Sequence, residues 1–263
     1  MAMFEHQGLT LAYDDIQPAG GPERTILLVH GYTSNRAEGW RRTGWYGAFE
    51  RRRIRTIAHD QRGHGESAKP HDPGLYARPL MAGDVLALMD HLGLGRVDLF
   101  GYSMGARVAL AAALAAPERF SNLILGGVGG GMLEEGGASD RGELMASAML
   151  AEDPESITNR FLKSFRQFAD EQGDDRQALA AHARFQNPKL DPAALAALPI
   201  PVLVVAGQRD EGARDTGRLA AAFADGRDAI IPGCDHFSAI PHALTKAAVF
   251  DFLDGVMDMP AFE

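Results

Sequence analysis

The sequence predicts an α/β fold: a mostly parallel central sheet with helices on both faces, carrying a small helical cap. Three features lead there. Short runs of β-branched and other apolar residues alternate with helical patterns up to residue 126, the strand signal disappears from about Glu143 to Ala197, and it returns at Val202. A chain of 263 residues can bury one large core, and 46% hydrophobic with 23% charged residues is the balance of a packed protein.

In chain order, Thr25 to His30, Ile54 to Asp60, Val97 to Tyr102 and Leu123 to Gly126 read as strands, because each is a short apolar run bounded by turn residues. Between them Leu80 to Leu92 has helical spacing, and Met104 to Ala116 is an alanine-rich helix halted by Pro117. Residues 126 to 142 are rich in glycine, including Gly136 and Gly137, and read as a flexible junction. Beyond it the apolar positions Ile157, Phe161, Phe165 and Phe168 follow a helical period. Strands resume at Val202 to Ala206 and Ala229 to Ile231, with an alanine-rich helix at Arg218 to Ala224 between them and a last helix at Ala243 to Leu253. The expected division is a core of residues 1–126 and 197–263 and a helical cap of residues 127–196.

Charge and cysteine content remove several function classes. Against 35 Asp and Glu stand 26 Lys and Arg, a net charge of −9 that disfavours nonspecific contact with nucleic acid or anionic lipid. The lone cysteine, Cys234, cannot close an internal disulfide, which fits a reducing cytoplasm. No leader pattern and no run of eighteen apolar residues is present. The expected partner is therefore a small-molecule substrate, with neither nucleic acid nor membrane, and a homo-oligomer is left open.

The chemistry concentrates at strand ends. Gly101, Tyr102, Ser103, Met104, Gly105 is a GxSxG sequence where a strand gives way to a helix. A tight turn there projects a nucleophile from the sheet, beside helix N-terminal amides that favour negative charge. The bland reading is a glycine-rich turn with a capping serine. Serine needs a base and a group that orients the base. His236, in the loop after the last strand, is the candidate base, and Asp210, after the Val202 strand, is the candidate acid. Glu211 is a minor rival, while Asp235, next to His236, is disfavoured because adjacent side chains in an extended loop diverge.

Oxyanion donors should be the backbone amide of Met104 and that of Tyr32, in the His30, Gly31, Tyr32 loop where Gly31 permits the turn. His30 reads as structural, as do Asp60, Arg62 and His64 in the loop after the second strand, which reach buried polar groups more readily than substrate. Phe161, Phe165, Phe168, Met145 and Met149 are expected chiefly to pack the cap onto the core. Trp40 and Trp45 border an entrance or anchor a long loop, and Arg41, Arg42, Arg51, Arg52 and Arg53 form a solvated face. No metal-ligand spacing, phosphate loop or dinucleotide fingerprint is present, so neither a cofactor nor a metal is expected.

Together HGYTS at 30–34, DQRGHGES at 60–67, GYSMG at 101–105, GQRDE at 207–211 and PGCDH at 232–236 resemble the α/β-hydrolase fold family over nearly the whole chain. The resemblance implies Ser103 as nucleophile, His236 as general base, Asp210 as its partner, and the Tyr32 and Met104 amides as the oxyanion hole. Relatives that open epoxides or remove halides use an aspartate where this chain has Ser103. The expected activity is hydrolysis of a small carboxylic ester or a lactone through an acyl-enzyme. A carbon–carbon bond hydrolase of a vinylogous diketone and a low-turnover ligand receptor are the alternatives.

Overall fold

The computed structural model describes residues 2–134, 140–185 and 189–258; Gly136 and Gly137 lie outside them. Strands β1 (Ala2–His6), β2 (Leu9–Ile16), β3 (Arg24–Val29), β4 (Ile54–His59), β5 (Val97–Tyr102), β6 (Phe120–Gly126), β7 (Val202–Gly207) and β8 (Gly226–Ile231) form one sheet, in the order β1-β2-β4-β3-β5-β6-β7-β8. From β4 to β8 every neighbouring pair is parallel, while β1 and β2 add an antiparallel edge.

The strand period of two separates the sheet into two buried faces. Leu27, Val29, Leu99, Leu123, Leu125, Val202 and Val204 face one side. There they meet α2 (Arg78–His91), α3 (Met104–Ala115) and α8 (Thr216–Ala220). Ile26, Leu28, Phe100, Ile124, Leu203 and Val205 face the other side, against α1 (Trp45–Arg51) and α9 (Ala243–Leu253). Both faces are covered, which is why these strands read as unbroken apolar runs rather than alternating ones.

Between β6 and β7 the described residues contain no strand, and their α-helices are α4 (Asp140–Leu150), α5 (Arg160–Gln172), α6 (Arg176–Arg184) and α7 (Pro192–Ala196). Asn159 caps α5 by accepting from the Leu162 amide at 3.1 Å, and Asp175 caps α6 through the Gln177 and Ala178 amides. Helices α4, α5 and α6 share a small core of their own, made of Ala146, Met149, Phe165, Ala169, Leu179 and Ala180. Buried Arg166 ties α5 to the end of α4, donating to the Ala148 and Ala151 carbonyls at 3.0 and 2.7 Å. Among the described residues no helix is long and apolar enough to cross a membrane.

Two elements differ from expectation. The β1–β2 hairpin was not anticipated; its turn is Gln7-Gly8, both with positive φ (52° and 75°), the mirror-image geometry that suits hairpins. The helix expected over Arg218 to Ala224 stops at Ala220. A Cβ at Gly226 would lie 1.9 Å from the Ala220 carbonyl oxygen, and Asp225 accepts from the Val202 amide at 2.8 Å. Residues 221–225 are therefore spent on the return to the sheet.

Candidate active site

β3 is flanked by β4 on one side and β5 on the other, so the chain order reverses at the crevice between β3 and β5, where open α/β sheets bind ligands. Ser103 stands at that point, between β5 and α3. Its backbone is held at φ 57° and ψ −115°, a region non-glycine residues rarely occupy. The flanking glycines are steric necessities. A Cβ on Gly105 would lie 2.1 Å from the Val29 carbonyl oxygen, and one on Gly101 would lie 2.2 Å from that of Gly105. Ser103 makes no side-chain cap to α3, so the capping reading fails.

Its hydroxyl turns to His236 instead. Ser103 Oγ lies 3.0 Å from His236 Nε2, and His236 Nδ1 lies 2.7 Å from Asp210 Oδ2. A carboxylate can only accept, so Nδ1 carries the proton and Nε2 presents a lone pair to the serine hydroxyl. Asp210 is buried, and its other oxygen accepts from the Gly212 amide at 3.0 Å. The Tyr102 hydroxyl donates to the His236 carbonyl at 2.6 Å, fixing the histidine loop against β5.

The competing carboxylates point elsewhere. Asp235 accepts from the amides of Phe237 and Ser238 and from the Ser238 hydroxyl, and these bonds hold its carboxyl below the usual range. Glu211 is 87% exposed and lies 3.8 Å from Arg214. The β3 loop approaches the nucleophile closely: a Cβ on Gly31 would lie 3.5 Å from that of Ser103. The left-handed residue of that loop is Thr33 (φ 56°) rather than Gly31, and a Cβ on Gly31 would meet only ordinary contacts. Tyr32 follows it, and Met104 opens α3 on the other side of Ser103.

The remaining candidates sort into structure. Buried Arg62 forms two 2.7 Å bonds to Asp84 and one to the Leu75 carbonyl. Asp60 accepts from Arg36 and from the Arg36 and Glu66 amides. His30 bridges its neighbour's carbonyl and the Gln61 amide. Trp40 and Trp45 are fully buried among Phe49 and Phe100, an anchor rather than an entrance. Cys234 is buried. Of the arginines expected on a solvated face, Arg41, Arg42, Arg52 and Arg53 pair with Asp14, Glu38, Asp254 and Glu23, and Arg42 also reaches a cavity wall.

Two cavities meet at Ser103. One, about 300 Å³, lies on the α3 side, and the other, about 340 Å³, lies beside His236. Phe165 lines both, Met145 and Phe161 line the first, and Phe168 lines the second, so these side chains do more than the packing expected of them. Only Met149 of that set is wholly inside the helical core. What sequence reasoning missed is the basic wall of the first cavity, Arg78, Arg107 and Arg141, three residues far apart in the chain.

Burial pushes the imidazoles of His30 and His64 down to about 3, each fully enclosed and close to other cationic or imidazole groups. Both stay neutral in the folded chain, while in the unfolded chain they take up protons below pH 6.5. Stability is therefore complete above that pH and declines as pH falls from 6.5 towards 3, by about 1 kcal/mol per pH unit for each histidine near pH 5.5. Asp174, whose burial raises its carboxyl to about 6, works in the opposite direction over part of this range. Urea unfolding at pH 7, 6 and 5 tests the sign: His64→Gln should show a shallower loss of stability with acid than wild type.

The alpha/beta hydrolase family model matches residues 26–249. A dihydrolipoyllysine-residue acetyltransferase component of an acetoin cleaving system from Pseudomonas putida is 33% identical over 177 residues, 64% of this chain and 46% of that protein. An epoxide hydrolase from Caballeronia sordidicola is 36% identical over 104 residues, 40% of this chain and 30% of that protein. The chain thus spans less than half the length of these curated relatives. The crystal structure of a hydrolase from Pseudomonas aeruginosa PA01 superposes with a TM-score of 0.76 at 26% identity, covering 96% of this chain and 97% of that one.

Proposed function

The chain belongs to the alpha/beta hydrolase family, and on that premise we propose that it is a serine hydrolase cleaving a small carboxylic ester or lactone. The observation that carries this reading is the continuous path from Ser103 Oγ through the His236 ring to Asp210, with links of 3.0 and 2.7 Å. In the proposed reaction Ser103 Oγ attacks the carbonyl carbon while His236 Nε2 takes its proton. The amides of Tyr32 and Met104 receive the developing oxyanion. His236 returns the proton to the leaving oxygen, then activates water to release the acid from Ser103.

Epoxide opening does not suit this nucleophile. Attack of a serine hydroxyl on an epoxide carbon gives an ether, which has no carbonyl for water to attack, whereas a carboxylate nucleophile gives a cleavable ester. Residues 127–196 serve in this reading as a cap. The separate small core of α4, α5 and α6 supports it, as do the cavities bounded by Phe165 on one side and Ser103 on the other.

The test is turnover of a p-nitrophenyl ester series from acetyl to long acyl chains, together with simple lactones. Saturable hydrolysis of at least one of them is expected. Cleavage confined to vinylogous diketones would replace this reading with carbon–carbon hydrolysis, and tight binding without turnover would replace it with a receptor.

A further inference from the structure

Tyr32 has its backbone beside the nucleophile and its side chain among the helices between β6 and β7. It follows Gly31 in the loop after β3 and, like Ser103, lines both cavities. Among the described residues the Tyr32 amide has no hydrogen-bond acceptor, whereas its carbonyl accepts from the Thr33 hydroxyl at 2.7 Å. A loop N–H without a partner beside a nucleophile is a donor in reserve for an oxyanion.

The side chain is fixed from several directions. Its hydroxyl donates to the Leu179 carbonyl, in the middle of α6, at 2.7 Å. Ring centroids of Phe165 in α5 and His182 in α6 lie 6.0 and 5.6 Å from that of Tyr32, the histidine perpendicular to it, and His64 closes a third side at 5.9 Å. Among the described residues packed with the small core of α4, α5 and α6, Tyr32 is the one that comes from outside those helices. Burial, Asp174 and Tyr76 all raise the phenol above its ordinary range, so the hydroxyl stays a neutral donor.

This anchoring bears on the amide because both belong to one residue. Gly31, just before it, has no side chain to fix the intervening peptide plane. A hydrogen bond weakens steeply when the N–H points away by more than about 60° from the line to its acceptor, so the direction of the amide matters as much as its distance. Tyrosine has two side-chain torsions, and holding the ring and its hydroxyl fixes both. We infer that the Tyr32 side chain is a positioning group for the reaction: its hydroxyl bond to the Leu179 carbonyl aims the Tyr32 amide at the oxyanion, so that α6 completes the oxyanion site from a distance. The inference rests on the serine hydrolase reading, with the Tyr32 amide as one of its oxyanion donors.

The test is Tyr32→Phe, which keeps the ring and removes the hydroxyl, assayed on the p-nitrophenyl ester that wild type cleaves fastest and on its thiono analogue. Sulfur replaces the carbonyl oxygen there and accepts hydrogen bonds weakly, so the ester-to-thionoester ratio of kcat/KM reads how well the amides are aimed. The variant should lose about tenfold in kcat on the ester with KM within about twofold, and the ratio should fall at least threefold. A general disturbance of the fold slows both substrates alike. An unchanged kcat, or a ratio equal to that of wild type, would overturn the inference while leaving ester hydrolysis standing. If wild type cleaves no ester, the serine hydrolase reading loses its support, and amide hydrogen exchange of the peptide spanning residues 30–34 decides the anchoring separately. Faster exchange in Tyr32→Phe than in wild type upholds it, and equal exchange overturns it.

Discussion

Replacing Ser103 with alanine is expected to lower kcat by about 10⁶-fold while the protein still unfolds cooperatively. The size follows from the proposed reaction, in which the hydroxyl that lies 3.0 Å from His236 Nε2 is also the attacking atom. Without it, the proposed oxyanion amides would still polarise a bound ester, so a residual rate of about 10³ to 10⁴ over water should remain. Folding should be little affected, because the serine oxygen caps no helix amide and the turn's close packing is carried by Gly101 and Gly105. Steady-state hydrolysis beside thermal unfolding of the same preparation checks both halves.

Asp210→Asn should lower kcat by about 10⁴-fold. The buried carboxylate accepts from His236 Nδ1 and so leaves Nε2 as the basic nitrogen facing Ser103. An asparagine amide can donate to Nδ1 instead, which moves the ring proton to Nε2 and removes the base from the hydroxyl. Glu211→Gln is the contrasting control. Its side chain lies in solvent near Arg214, so kcat should stay within about twofold of wild type, as surface changes away from a site usually do. Parallel kinetics of the two variants separate neighbours in sequence that differ completely in environment.

Much of this arrangement was legible in the sequence because it sits on strong local signals. Strand ends are marked by turn residues, and Ser103, Asp210 and His236 each follow one, so a single assumption of parallel strands puts all three at one sheet edge. The strands themselves were readable because burial on both faces turns them into apolar runs. The β1–β2 edge escaped notice for the opposite reason. Only four apolar residues, Phe4, Leu11, Ala12 and Tyr13, are buried there beside one buried carboxylate, Asp14, and the turn uses Gln7 where Asn or Asp gives the familiar signal.

The cavities were not legible, since they are made by tertiary contacts between segments without local marks. Arg78, Arg107 and Arg141 sit on three helices and share nothing in sequence beyond their charge. Phe161 and Phe165 carry a helical period that fits either a packed interface or a cavity wall. Only the approach of α5 to the β3 loop and to Ser103 decides between them. The apolar spacing located the helix, and the neighbouring core determined what it faces.

The most direct test of the account is intact-protein and peptide mass spectrometry after reaction with a small alkyl fluorophosphonate. One adduct on the peptide carrying Ser103, lost in Ser103→Ala and formed far more slowly in His236→Ala, is the predicted result. Absence of an adduct in folded wild type, or modification at another residue with Ser103 intact, would contradict Ser103 as the nucleophile.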